Sequence, residues 1–270
     1  MKLLITGANG FLGAALPRYL GHHEITAVSR QQLDLTNSQA VREYFLQHEY
    51  DAVINCAAAG RYTPEAVDPG IVSNNLESII NLLLNNGSYG KLINFGTGAE
   101  FDITQPIIKA QERDIWKRSP AQSYGASKNL TAKLLARQER CHTLRLFGCF
   151  DGSEDNKRII KKCHSAVSQG NTFVVSQDRW FDMVSVRDIA QAVESVLNGQ
   201  LADKDINVVY AQKTTLSDAL KLYCSSNGFD SELVQAQGNL GLEYTGDSTR
   251  IAPIAKELIG LEQSFKEYNL

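Results

Sequence analysis

The sequence predicts an α/β fold: a doubly wound parallel sheet with a smaller C-terminal α/β lobe. Three observations predict it. Short apolar runs alternate with stretches of helical spacing through residues 1–150, and strand-then-helix repetition buries a parallel sheet between two helix layers. The first apolar run, "KLLIT", leads straight into Gly7, Gly10 and Gly13. After Phe150 the alternation breaks at the polar, turn-rich "DGSEDNKR", where a second unit begins.

The elements follow in order. Residues 2–6 form a strand apolar enough for burial on both faces. Residues 11–20 have helical spacing and stop at Gly21 and His22; residues 24–29 form a second strand. Residues 37–48 read as a helix with Val41, Tyr44, Phe45 and His48 on one face. "AVINC" (52–56) is a third strand, 75–85 a helix ending in "NNG", and "KLINF" (91–95) a fourth strand. A long helix over 123–138 and a strand over 141–146 close the first half. Beyond the break, a helix runs to Gly170, "TFVVS" and "FDMVSV" read as strands, "RDIAQAVESVLNG" as a helix and "INVVY" as a strand. The tail to Leu270 reads mainly as short helices.

The bulk numbers exclude several function classes. The chain has 270 residues, 43% hydrophobic and 21% charged, with net charge −3. That is an ordinary globular composition with no basic excess to neutralise nucleic-acid phosphates. No apolar run approaches the roughly 20 residues that cross a bilayer, and the N-terminal run is too short for a signal peptide. The five cysteines form no C-x-x-C pair, which fits reduced thiols in the cytoplasm. The five histidines show no ligand spacing, so no metal site is read.

Strand, then Gly-x-x-Gly-x-x-Gly, then helix is the setting of a phosphate-binding turn. Gly7 permits the tight turn, Gly10 lets backbone N–H groups approach a pyrophosphate at a helix N-terminus, and Gly13 lets the helix pack on the strand. Asn9, Phe11 and Leu12 complete the cofactor-binding stretch. Residues 1–150 are thus expected to be a Rossmann-like dinucleotide-binding domain, with segments of about 172–210 returning to it; residues 151–270 are expected to be a substrate-binding lobe. The blander reading is a glycine-rich loop that only packs. The second strand ends "AVSRQQLDL". Ser29 and Arg30 stand where an acid would hold a ribose 2′-hydroxyl, and an Arg there suits a 2′-phosphate. NADP(H) is therefore the preferred cofactor and NAD(H) the alternative; the bland reading of Arg30 is a solvated charge.

"SYGASKNL" places Tyr124 and Lys128 one helical turn apart. An ammonium there favours the phenolate and lowers a phenol pKa of about 10, making Tyr124 an acid–base group. Taken with the glycine turn, this pair resembles the extended short-chain dehydrogenase/reductase family, over residues 1–195. "LDLTN", "NCAAAG" and "NNLESIINLL" are similar to further family segments, and imply that Asp34, Leu35, Ala57, Ala58 and Asn75 meet the cofactor alongside Tyr124 and Lys128. "LINFGTGAEFD" is similar to the segment bearing the third catalytic group, and implies that Thr97 polarises a carbonyl oxygen while Tyr124 moves the proton.

The resemblance is best to nucleotide-sugar reductases, and implies reduction of a nucleotide-linked keto-sugar for surface polysaccharide. The alternatives are a nucleotide-sugar epimerase holding NAD(P) tightly, or a non-catalytic NADP-binding sensor. Departures narrow the choice. Gly98 and Ala99 follow Thr97 where dehydratases carry an acid–base pair, and Ala99 replaces an epimerising Cys. Cys149 and His164 have no place assigned by sequence. Gly148 and Phe181 replace residues that meet substrate phosphates; Arg179 and Arg158, with Lys157 beside it, are the candidates to take over. The family often dimerises through the Tyr-x-x-x-Lys helix and its neighbour, so a homodimer is one assembly the resemblance implies.

Overall fold

The computed structural model describes residues 1–60 and 68–268. Strand β1 (Lys2–Thr6) runs into the glycine turn and α1 (Phe11–Ala15). α1 stops short of residue 20: Pro17 has no N–H to extend it, and the chain tightens into a 3₁₀ turn over Leu16–Arg18. β2 (Glu24–Val28), α2 (Ser38–Gln47), β3 (Tyr50–Asn55) and α3 (Pro69–Leu84) follow. The Asn37 side chain caps α2 at Ala40 N–H. α3 begins before residue 75 because Pro69 suits a first helical turn and Asp68 caps it, accepting from Gly70 N–H at 2.9 Å.

β4 (Tyr89–Thr97), β5 (Ile107–Ala110), α4 (Ser123–Leu135) and β6 (Cys141–Leu146) complete the first half. Then come β7 (Cys149–Phe150), α5 (Ile159–Val167), β8 (Phe173–Val175), β9 (Val184–Ser185), α6 (Val186–Leu197) and β10 (Asp205–Asn207). Last are α7 (Leu216–Ser226), β11 (Val234–Ala236), β12 (Tyr244–Gly246) and α8 (Gly260–Lys266). The tail is mainly short helices, as expected, with two short strands among them. β11 pairs with β8 and β12 with β5, so tail segments complete small parallel sheets begun elsewhere.

The main sheet has six strands in the order β10-β6-β4-β3-β1-β2, all parallel. Alternate residues serve opposite faces. Leu3, Ile5, Ala52, Ile54, Ile93 and Phe95 pack with Leu16, Leu20 and the apolar stripe of α6. Leu4, Val53 and Leu92 pack with Val41 and Phe45 of α2 and Ile79 and Leu82 of α3. The sheet is thus doubly wound, buried on both faces. Within 172–210, α6 and β10 join this sheet, while β8 lies outside it. A separate core holds Phe150, Cys163, Val175, Tyr223 and Phe265. The winding reverses at β1, which has β2 on one side and β3 on the other. In open α/β sheets the crevice at that reversal is where ligands bind. Among the described residues no helix is long and apolar enough to cross a membrane.

Candidate active site

The glycine turn lies at that reversal. Gly7 has φ +71°, a conformation side chains disfavour, and a Cβ on it would lie 2.8 Å from Ala57 N. A Cβ on Gly13 would lie 2.2 Å from Gly7 O. The first glycine therefore seats the turn against the chain leaving β3, and the third seats α1 against the turn. A cavity of about 370 Å³ opens beside them, lined by Gly7, Asn9 and Gly10, by Arg30 and Leu33–Thr36, and by Cys56–Ala59. No side chain caps α1, so its first-turn N–H groups are left for a ligand oxygen. Backbone closed to any Cβ, open N–H donors and a basic rim fit a dinucleotide.

At the rim, Arg30 is exposed and its Nε meets Asp34 Oδ2 at 3.2 Å. The Asp34 carboxylate also accepts from Thr36 N at 3.0 Å and Thr36 Oγ1 at 2.8 Å, bonds that hold its pKa below the usual range. Leu35, Ala57 and Ala58 line the same cavity, as the sequence implies.

Besides Tyr124 and Lys128, five expected cofactor residues do not line it. Phe11 lies under the Arg158 guanidinium, 4.6 Å from its ring centroid. Leu12 packs on the core, and Gly13 contacts the turn rather than the cavity. Ser29 is buried, its N–H and hydroxyl both donating to Gln32 Oε1. Asn75 accepts from Ala59 N at 2.6 Å and donates to Ala59 O and Ser127 Oγ, tying the loop after β3 to α4. Its side chain is engaged there and shapes the groove wall from behind.

Thr97 ends β4, Tyr124 opens α4 and Lys128 lies one turn on. Thr97 and Tyr124 line a second cavity of about 840 Å³. The buried Lys128 donates to Phe95 O at 2.6 Å. Burial pushes the Tyr124 phenol up to about 12, with Glu100 and Cys149 adding to the rise and the Thr97 hydroxyl opposing it. The expected lowering by Lys128 is overturned: burial dominates the phenol, and burial also lowers Lys128 itself, against the charges of Glu100 and Cys56. At neutral pH Tyr124 is a protonated donor.

The turn after β4 is held by a buried ion pair. Glu100 accepts from Thr97 N at 2.9 Å and from Arg145 Nε at 2.6 Å, both side chains fully buried. Arg145 also donates to Asn207 Oδ1 and Asp205 Oδ2. Burial works against the Arg145 charge, but Glu100 and Asp205 raise its pKa and keep it a cation. Sequence inspection missed this clamp. It joins the turn after β4 to β6 and β10, and it engages the acid of that turn.

The second cavity spans Gly60 to Tyr244 in sequence. Its wall carries Phe147, Phe181 and Tyr244, and both arginines expected to meet substrate line it. Arg158 donates to Cys149 O and pairs with Glu154 at 2.8 Å. Arg179 lies over Phe181 and Tyr244, 5.1 and 5.5 Å from the ring centroids, and among the described residues it has no carboxylate partner. A Cβ on Gly148 would lie 2.5 Å from Phe181, so the two departures are one rearrangement: the ring fills the space above the glycine. Cys149 lines the cavity with its thiol pKa raised by burial, and so is no ready base. His164 pairs with Tyr223 Oη at 2.8 Å; neither it nor Lys157 lines the cavity. Away from both cavities, the fold brings ligating atoms of His22, His23 and Glu194 within 4.8 Å of one another, which sequence spacing did not reveal.

The chain matches the NAD dependent epimerase/dehydratase family over residues 3–209. Over 60 residues it is 43% identical to a probable dTDP-4,6-dihydroxy-2-methyloxan-3-one 4-ketoreductase of Streptomyces antibioticus, covering 22% of this chain and 20% of that one. The match thus spans about a fifth of that relative's length. The fold is similar to a dTDP-4-dehydrorhamnose reductase from Clostridium acetobutylicum, with TM-score 0.80 at 22% identity over 99% of this chain and 98% of the other. It is also similar to a GDP-mannoheptose C4 reductase from Campylobacter jejuni with NADP bound, with TM-score 0.79 at 19% identity over 98% and 96%.

Proposed function

Because the chain belongs to the NAD dependent epimerase/dehydratase family, we propose that it is an NADP(H)-dependent oxidoreductase that reduces the ketone of a nucleotide-linked sugar for surface-polysaccharide biosynthesis. One observation carries the reading. Thr97 and a protonated Tyr124 share a roomy cavity, while the turn beside them offers no second acid or base: Gly98 and Ala99 have none, and Glu100 is held by Arg145. Such a site can reduce a carbonyl, while the turn after Thr97 supplies no free acid–base group for water elimination or for epimerisation beside the ketone.

A bound nicotinamide supplies hydride chemistry. The chain's own part is to place and protonate. Thr97 and Tyr124 hold the carbonyl oxygen; Tyr124 gives its proton as negative charge develops there. Lys128, one helical turn from Tyr124, is anchored to Phe95 O. Arg30 at the groove rim supports NADP(H) over NAD(H). Arg179, which has no carboxylate partner among the described residues, supports an anionic substrate such as a sugar diphosphate. The names of the similar reductases support the same substrate class.

Two further features belong to this reading. The scattered cysteines, with no C-x-x-C pair, support work in the reducing cytoplasm. Exposed Ile80 and Leu84 on α3 and Leu130 on α4 support a homodimer through those helices.

The test is NADPH oxidation by purified protein against dTDP-, GDP-, CDP- and UDP-linked keto-sugars. Turnover of one class with stoichiometric NADPH loss is the expected result. Sugar conversion with no NADPH loss identifies an epimerase, and binding without conversion identifies a sensor.

A further inference from the structure

His22, His23 and Glu194 meet far from both cavities. Leu20, just past the 3₁₀ turn that follows α1, is buried against the apolar stripe of α6. That packing sets the next loop, residues 21–23, beside the last turns of α6, which carry Glu194. β2 begins at Glu24, directly after the histidines, and runs parallel to β1. The cluster therefore stands at the N-terminal edge of the sheet. The glycine turn leaves the opposite edge, after Thr6.

The two imidazoles converge on one oxygen. Glu194 Oε1 lies 3.0 Å from His22 Nε2 and 2.8 Å from His23 Nε2. The rings lie side by side, with centroids 4.1 Å apart and planes at 43°. His23 turns its Nδ1 away, 3.4 Å from the Met1 nitrogen, so Nε2 is the nitrogen offered to the cluster. All three ligating atoms lie within 4.8 Å of one another. A tetrahedral ion with bonds of about 2.0–2.1 Å spaces its ligand atoms about 3.3 Å apart. The two N–O edges need only open by about half an ångström. The His22 side chain is 62% exposed and has room to turn, while His23 and Glu194 are held more firmly by burial. Among the described residues no Lys or Arg pairs with Glu194, so no protein cation occupies the carboxylate.

The donor set chooses the ion. Calcium and magnesium take oxygen ligands. Two imidazole nitrogens with one carboxylate suit zinc and its transition-metal neighbours, and leave a fourth, solvent-facing position for water. We propose that His22, His23 and Glu194 form a site for a zinc-class divalent ion, which ties the loop before β2 to α6. The ligands come from segments 171 residues apart, so folding is what assembles them. An ion bound by that arrangement raises the stability of the folded chain. Its place at the far edge of the sheet makes it structural. The proposal does not rest on the reductase reading, and its readouts need no substrate.

The test uses untagged protein stripped with a chelator, titrated with zinc chloride by calorimetry and melted with and without zinc. One equivalent is expected to bind, and zinc at a hundred times its Kd should raise Tm by about 5 °C. Magnesium chloride should give no such shift. Glu194→Gln keeps the side-chain shape, and His22→Ala removes an exposed ring; each should weaken zinc binding about tenfold or more and remove the Tm shift. His164→Ala, away from the cluster, should change neither. Cobalt in place of zinc should show d–d bands without a thiolate charge-transfer band, which separates this site from the cysteines. No saturable zinc binding, unchanged affinity in both cluster variants, a thiolate band, or an equal Tm shift with magnesium overturns the proposal.

Discussion

The groove at the glycine turn is lined by three short runs, within 7–10, 30–36 and 56–59, with Asn74 and Ser78 beside them. The neighbouring cavity draws its wall from Gly60, Thr97, Tyr124, Phe147, Arg179 and Tyr244, spread over most of the chain. The two meet at the loop after β3, where Ala59 lines one and Gly60 the other. The difference teaches how such an enzyme can vary. The groove is set by backbone close approach at a few glycines, which tolerates little change. The cavity is set by side chains from distant segments, which can be exchanged as matched groups, as Phe181 and Gly148 are here.

The comparison breaks most sharply at the residue proposed as the proton donor. Tyr124→Phe should lower kcat by about 10²- to 10⁴-fold, the range for losing a positioned acid. NADP affinity, read by fluorescence titration, should change little. Because burial holds the phenol up to about 12, it stays protonated through the neutral range. The reduction rate should fall with rising pH only as the phenol begins to ionise, and the reverse oxidation, which needs the phenolate, should rise. A reduction rate that climbs with pH contradicts the donor role.

The clamp comes next. Arg145→Met leaves Glu100 buried without its partner, and breaking a buried pair this way costs about 3–5 kcal/mol. Urea unfolding should show that loss. In the folded fraction, catalysis should suffer more than NADP binding, since the clamp holds Thr97's turn and not the glycine turn. Equal loss of both would show that the two regions are not separable.

Arg179→Gln removes a charged donor from the cavity alone. It should raise KM for a nucleotide-sugar about 10- to 100-fold, the worth of a hydrogen bond to a charged group, with kcat nearly intact. The smallest effect is at the groove rim. Arg30→Ala should reduce the kcat/KM preference for NADPH over NADH about tenfold, an exposed charge–phosphate contact being modest. An unchanged ratio removes the reason for preferring NADP(H).

Legibility followed the same divide. The strand, glycine turn and helix were readable because they are contiguous, and so was Tyr124 with Lys128, since helical spacing fixes their common face. Boundaries drifted where local chemistry intervened, at Pro17 in α1 and at the Asp68 cap of α3. Position along the chain does not tell which polar group a side chain will bond: Ser29 bonds Gln32, and Asn75 bonds Ala59. The effect of Lys128 on Tyr124 was misjudged because burial cannot be seen from spacing.

By itself the sequence determined the parallel α/β architecture, the glycine turn and the placement of Tyr124 and Lys128 one helical turn apart, since each is written in residues within a few turns of one another. Only the tertiary structure decided that Glu100 belongs to Arg145, that Phe181 fills the space over Gly148, and that Tyr244 stands against Gly98 beside Thr97. Those contacts join segments tens to more than a hundred residues apart. No periodicity links such segments; they meet because the sheet order and the small sheets of the tail carry them together.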